Sequence, residues 1–92
     1  MRIFVTPTFV RAAKKLHRLQ KEELDTAVKT VAGDAQIGEE KVGDLAGIRV
    51  YKFCISNQLC LLSYRVLDED GIKLLTVGSH ENFYRDLKRI EH

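Results

Sequence analysis

Apolar residues along the chain follow two rhythms, and the change between them divides it into a helical first part and an extended second part. A short alternating stretch over residues 2–5 comes first, with Ile3 and Val5 on one side and Phe4 on the other, and predicts a strand. Thr6-Pro7 predicts a helix start, because a threonine hydroxyl can accept from a free amide and proline is tolerated at the first helical position. Phe9, Ala12, Ala13 and Leu16 share one stripe of that helix, while Arg11, Lys14, Lys15 and Arg18 project elsewhere. A second helix is predicted over about residues 21–32, with Leu24, Ala27, Val28 and Val31 at helical spacing. Glu22, Glu23 and Asp25 fall near its positive N-terminal end, and Gly33 stops it. The short junction at Leu19-Gln20 predicts an antiparallel helical hairpin packed on a sheet.

The glycine-interrupted polar segment over residues 34–44 reads as a surface loop. After Gly47 three apolar or alternating runs, residues 48–55, 59–67 and 72–77, are separated by Ser56-Asn57-Gln58 and by Asp68-Glu69-Asp70-Gly71, both of them turn chemistry. They predict an antiparallel meander whose sheet the N-terminal strand also joins. Phe83, Leu87 and Ile90 suit a short C-terminal helix with Arg85, Lys88 and Arg89 on its exposed side. The expected fold class is α+β in the order βααβββα, a single domain over residues 1–92 with no repeat and no linker.

Composition adds limits. A chain of 92 residues buries only about two thirds of the surface its unfolded form exposes, so the core must be thin. With 45% hydrophobic and 30% charged residues the chain is neither disordered nor membrane-embedded in character. It shows no signal-peptide pattern and no apolar run near the roughly 20 residues that span a bilayer, so the cytoplasm is its expected location and no membrane partner is expected. Two cysteines, Cys54 and Cys60, are too few for a disulfide framework. They face each other across the predicted hairpin or lie on opposite faces depending on one residue of its turn, and free, packed thiols are the expectation.

The net charge of +2 hides an uneven distribution. Residues 1–21 contain Arg2, Arg11, Lys14, Lys15, Arg18 and Lys21 and no acid, against nine basic and thirteen acidic residues in the remainder. Such a patch fits a polyanionic partner such as RNA, or an acidic protein; it fits a solvated helix face equally well.

Signatures of the common enzyme classes are absent: no GxSxG, no phosphate-binding loop, no zinc cluster and no dinucleotide turn. No metal or cofactor is therefore expected. What remains is a polar run, Gly78-Ser79-His80-Glu81-Asn82-Phe83-Tyr84, which leaves the last predicted strand directly. On the first strand of the meander Val50, Lys52 and Cys54 point one way and Arg49, Tyr51 and Phe53 the other. Tyr51 and Phe53 are the better core candidates, which puts Lys52 on the open face, where it is expected to share a groove with His80. Metal-free RNA cleavage needs a base for the 2′-hydroxyl proton, a donor for the leaving 5′-oxygen and cations around the phosphorane, and His, Lys and Arg can supply all three. Each residue also has a plainer role: His80 as a hydrogen-bonding residue, Tyr84 as an aromatic at the core edge, Lys52, Arg49 and Arg85 as solvated or paired charges.

The order of elements, together with Val42-Gly43-Asp44-Leu45-Ala46-Gly47, the strand opening Ile48-Arg49-Val50-Tyr51-Lys52, and Gly78-Ser79-His80, resembles the RelE/ParE toxin superfamily over essentially the whole chain. The resemblance is to its mRNA-cleaving RelE-type and YafQ-type members. It implies His80 as general acid or base, Tyr84 as the group that stacks on or orients a nucleotide, and Lys52 and Arg49 as further catalytic-site cations. It also implies a cognate antitoxin that wraps the toxin in a hetero-oligomer, and the ribosome and mRNA as targets. Arg11, Lys14, Lys15 and Arg18 would then contact ribosomal RNA, with Arg85 as an additional RNA-binding cation. Val50 and Leu61 stand where relatives of this type carry an aspartate and an arginine, leaving fewer charged groups at the site. The same scaffold serves ParE-like gyrase inhibitors that cut nothing, and an inactive relative that only binds an antitoxin would share it too.

Overall fold

The computed structural model describes residues 1–79, and the predicted C-terminal helix together with His80, Tyr84 and Arg85 lies outside them. The elements are β1 (Arg2–Val5), α1 (Pro7–Lys14), α2 (Arg18–Gly33), β2 (Glu39–Glu40), a 3-10 turn (Gly43–Leu45), β3 (Arg49–Ile55), β4 (Gln58–Asp68) and β5 (Gly71–Ser79). The sheet order is β1-β5-β4-β3-β2, with β1 parallel to β5 and the other pairs antiparallel. The α+β class and the strand–hairpin–meander order stand, in a mixed sheet of five strands.

Thr6 starts α1 as its sequence suggests. Its hydroxyl accepts from the Phe9 amide at 3.0 Å and donates to the Leu75 carbonyl of β5, so one buried side chain fixes both the helix and its position on the sheet. The first helix is shorter than its apolar stripe: it ends at Lys14, and Leu16 sits in the turn. His17 caps α2, with its amide donating to Gln20 Oε1 at 2.9 Å, and Arg18 is the first residue of α2. The expected basic face is thus split between two helices. Moving the start three residues earlier also takes Glu22, Glu23 and Asp25 out of the first turn, which carries no acid.

One core lies between the helices and the sheet: Phe9 of α1, Leu24, Ala27 and Val31 of α2, Leu62 and Tyr64 of β4, and Ile72, Leu74 and Val77 of β5, with Tyr51 and Phe53 packed at its side. Burying each of the larger aliphatic side chains contributes about 1.5–3 kcal/mol. A second cluster, Ile48, Val50, Leu61 and Leu75 with Leu45 against it, occupies the other sheet face.

The segment expected as a surface loop contains β2, which pairs Glu39 with Val50 and Glu40 with Arg49. Two acids in sequence carry no strand pattern; the pairing is imposed by the neighbouring chain. The β3–β4 turn is two residues long, Ser56 and Asn57, both at positive φ (50° and 65°), so Gln58 belongs to β4. The Ser56 amide donates to Glu23 Oε2 at 2.9 Å, tying this turn to α2. In that register Cys60 faces Phe53 and Cys54 faces Leu59, which separates the cysteines onto opposite sides of the sheet. Both are free; Cys60 is buried, whereas Cys54 is exposed, contrary to the expectation of two packed thiols.

Candidate functional site

The sheet register decides which candidate residues meet. Lys52 of β3 lies opposite Leu61 of β4, and Leu61 lies opposite Gly78 of β5, so the three form one row across the face away from the helices. Lys52 is exposed, Leu61 is fully buried beside it, and among the described residues nothing lies within 4 Å of where a Cβ on Gly78 would be. Two strand spacings, about 10 Å, separate Lys52 from the row's far end. One residue past that row, at Ser79, the described chain ends.

On the helix side of the same strand end, Lys15, Gln20, Gln58, Val77, Gly78 and Ser79 border a groove of about 330 Å³. Lys15 therefore borders the end of β5 on the helix side, while Lys52 stands two strands away on the other side of the sheet. Lys52 borders a separate shallow groove of about 260 Å³ with Ile37, Glu39, Val50 and Tyr51. His80, Tyr84 and Arg85 fall outside the described residues, so the groove expected for Lys52 and His80 lies outside them as well.

Arg49 does not join Lys52. Strand alternation turns it to the helix side, where its guanidinium donates to the Gly38 carbonyl (2.7 Å), the Gln36 carbonyl (3.2 Å) and Gln36 Oε1 (2.7 Å), with Glu40 at 4.0 Å. Across from it Tyr64 donates its hydroxyl to the Ala35 carbonyl at 2.8 Å and accepts from the Gly38 amide at 3.0 Å. Burial pushes the Tyr64 phenol above its ordinary pKa, against the opposing pull of the Gly38 amide and the Arg49 charge. These two side chains fix the strand-bearing segment that borders Lys52.

The cations of the first two helices are exposed but spread out. Arg11 leans on Thr8 at 3.3 Å; Lys14 borders a groove beside β1, on the other side of α1's end from Lys15; Arg18 opens α2. Two cations escaped sequence reasoning. Arg65 and Lys73 are directly paired on β4 and β5, on the same face as Lys52. The signal was present in the alternation Leu61, Ser63, Arg65, which puts all three on one side of the strand. Among the described residues no three of His, Cys, Asp and Glu converge as metal ligands, and no helix is long and apolar enough to cross a membrane.

A mixed sheet of five strands with two helices packed on one side is the arrangement of the RelE-like fold. The structure superimposes with a TM-score of 0.71 on an arginine-substituted variant of E. coli toxin RelE in the free state, at 22% identity, covering 97% of this chain and 96% of that one. It also matches the intact E. coli RelBE toxin–antitoxin complex (TM-score 0.69, 21% identity, 87% and 96% covered). The archaeal RelE–RelB complex from Pyrococcus horikoshii OT3 is more distant (0.51, 14%, 87% and 94%). No curated protein sequence matches. A family model, the ParE-like toxin of type II bacterial toxin-antitoxin systems, matches residues 3–88. The chain belongs to that family: it is a type II toxin of the RelE/ParE superfamily.

Proposed function

We propose that this toxin is a ribosome-dependent endoribonuclease that cuts mRNA without a metal and so inhibits translation. The observation that carries the reading is the row Lys52–Leu61–Gly78, which puts an exposed ammonium two strand spacings, about 10 Å, from the strand end at which the sequence continues into Ser79-His80. In the reaction the 2′-oxygen attacks phosphorus, the P–O5′ bond breaks, and a 2′,3′-cyclic phosphate and a 5′-hydroxyl form. His80 transfers a proton, as general acid or base, with help worth about 10² to 10⁴ in rate. Lys52 neutralises charge on the phosphorane, Tyr84 orients a nucleotide, and Arg85 adds a cation. Arg49, with its donors held by the segment around Gly38, acts by positioning that segment rather than by touching RNA.

Arg11, Lys14, Lys15 and Arg18 contact ribosomal RNA, which holds the substrate in place. A cognate antitoxin covers the groove of about 460 Å³ between β1 and the helices, lined by Ile3, Val5, Phe9, Leu24 and Val28 and flanked by Lys14 and Lys21. That surface suits an acidic segment with apolar anchors, and the resulting hetero-oligomer resides in the cytoplasm.

Induction in cells with mapping of new mRNA 5′ ends and of DNA topology tests the reading. Cleavage inside translated codons, abolished by His80→Ala and reduced by Lys52→Ala in folded protein, is the expected result. Gyrase-linked DNA breaks with intact mRNA would assign the chain to the gyrase-inhibiting branch instead, and no growth arrest at all would leave antitoxin binding as its activity.

A further inference from the structure

On the helix side of the sheet the α1–α2 turn, the β3–β4 hairpin and the end of β5 meet around the groove of about 330 Å³. Its floor is apolar, made by Leu16, Ile55, Cys60 and Val77. The last three keep 5%, 8% and 7% of their surface, whereas Val31, Leu62 and Ile72 keep none, so the floor is a part of the interior that reaches solvent. Its size falls in the range of about 300–1,000 Å³ that small-molecule sites occupy.

The rim is polar. Gln20 is oriented by the start of its own helix: its Oε1 accepts from the His17 amide at 2.9 Å, which leaves the side-chain NH2 group to donate. Gln58 opens β4 directly after the two-residue turn, opposite Ile55, and is exposed. Neither Gln58 nor Lys15 gives its side chain to a hydrogen bond or ion pair with another described residue. No carboxylate is among the described residues that line the groove, and Lys15 makes its rim positive, which favours an anionic ligand. Two carboxamides above an apolar floor suit a flat ring that carries both donors and acceptors on its edge. Ser79 closes the rim where the chain runs on to His80, so a ring held on this floor has its attached phosphate at the strand end.

We propose that this groove receives one unpaired base of the message next to the scissile phosphate, and that it prefers adenine. The ring lies on Leu16, Ile55, Cys60 and Val77. Gln58 donates to N7 and accepts from the 6-amino group, the pairing by which a glutamine best matches adenine, and the Gln20 NH2 group adds a donor. This rests on the reading of the chain as an RNA-cutting toxin and gives that reaction a base preference.

The test is an NMR titration of the full ¹⁵N-labelled chain with 2′-O-methylated tetranucleotides of A, C, G and U, none of which can be cut. The A tetranucleotide should bind most tightly and shift the side-chain amide signals of Gln20 and Gln58. Gln58→Leu should reduce the preference for A over U roughly 5- to 150-fold, the discrimination of one bidentate pair. Gln58 is exposed, so this variant keeps its fold. Gln20→Glu retains the oxygen that caps α2 and removes the donor, so it should lower the same ratio with the helix start intact. Equal affinity for all four tetranucleotides would overturn the proposal, as would an A preference unchanged in both variants, or binding that leaves the Gln20 and Gln58 signals unmoved. Intact mRNA on ribosomes together with an A preference that Gln58→Leu removes would sink the nuclease reading and support the base site. Cleavage inside codons with no base preference in the titration would remove the base site alone.

Discussion

Removing one oxygen from Tyr64 should loosen the segment that borders Lys52. The phenol is fully buried, and its hydroxyl serves the Ala35 carbonyl at 2.8 Å and the Gly38 amide at 3.0 Å, so Tyr64→Phe leaves a buried donor and a partly buried acceptor without this partner. Such a loss costs about 1–3 kcal/mol, a large part of the roughly 5–15 kcal/mol that holds a small domain together. Each kcal/mol lowers the melting temperature of a domain this size by about 4–8 °C, so a drop of about 8–16 °C is expected for a mid-range loss. The Lys41 amide, which donates to the Ile48 carbonyl at 2.8 Å just beyond β2, should exchange with solvent faster in the variant. Arg49→Met strips donors from the same segment, so the double variant should lose less than the sum of the two single losses. A melting shift under about 2 °C, less than roughly half a kcal/mol, together with unchanged Lys41 exchange would refute the argument that Tyr64 fixes this segment.

The same residue gives a pH dependence: its folded pKa is raised, so its contribution is complete below the unfolded value of about 10 and is lost as pH climbs through the folded value, an alkaline increment that Tyr64→Phe should lack in unfolding titrations. Thr6→Val should cost about 1–2 kcal/mol in thermal unfolding, because the α1 cap and the bond to Leu75 vanish together, and Thr6→Ser should restore most of it. The Asp68 carboxyl is lowered, first by the Asp70 amide at 2.8 Å and then by Arg2; its contribution is present above about pH 4 and fades as pH falls through the lowered value, so Asp68→Asn should flatten that part of the acid limb. Timed thiol labelling read by mass spectrometry should modify exposed Cys54 before buried Cys60, whose thiol burial pushes up.

Which of these features the sequence announces follows from how local each cause is. Thr6-Pro7 caps α1 by itself, and the alternation of residues 2–5 and of the meander is a property of each strand, so these elements were legible. The break after Lys14 was not, because nothing between Ala12 and Gln20 opposes helix; it comes from a reciprocal arrangement of His17 and Gln20 that only the tertiary turn selects. Strand β2 was illegible for a similar reason, since Glu39-Glu40 pairs because Arg49 and Tyr64 draw the preceding loop against β3.

The candidate site shows how much hangs on one turn. Because Ser56 and Asn57 alone make the β3–β4 connection, Lys52 falls opposite Leu61 rather than a neighbouring residue, and the assignment of each β4 side chain to one side of the sheet follows from that register. Where the family resemblance implies a cation, this chain has the fully buried Leu61. The register supplies a different pair on the same face, Arg65 and Lys73, displaced by four residues along β4. Among the described residues, the cations of this side of the sheet include Lys52 at one end and Arg65 and Lys73 at the other, with the buried cluster of Ile48, Val50, Leu61 and Leu75 between them. On the proposed nuclease reading, placement of the scissile group by the ribosome would substitute for part of the electrostatic help that a leucine at position 61 does not give.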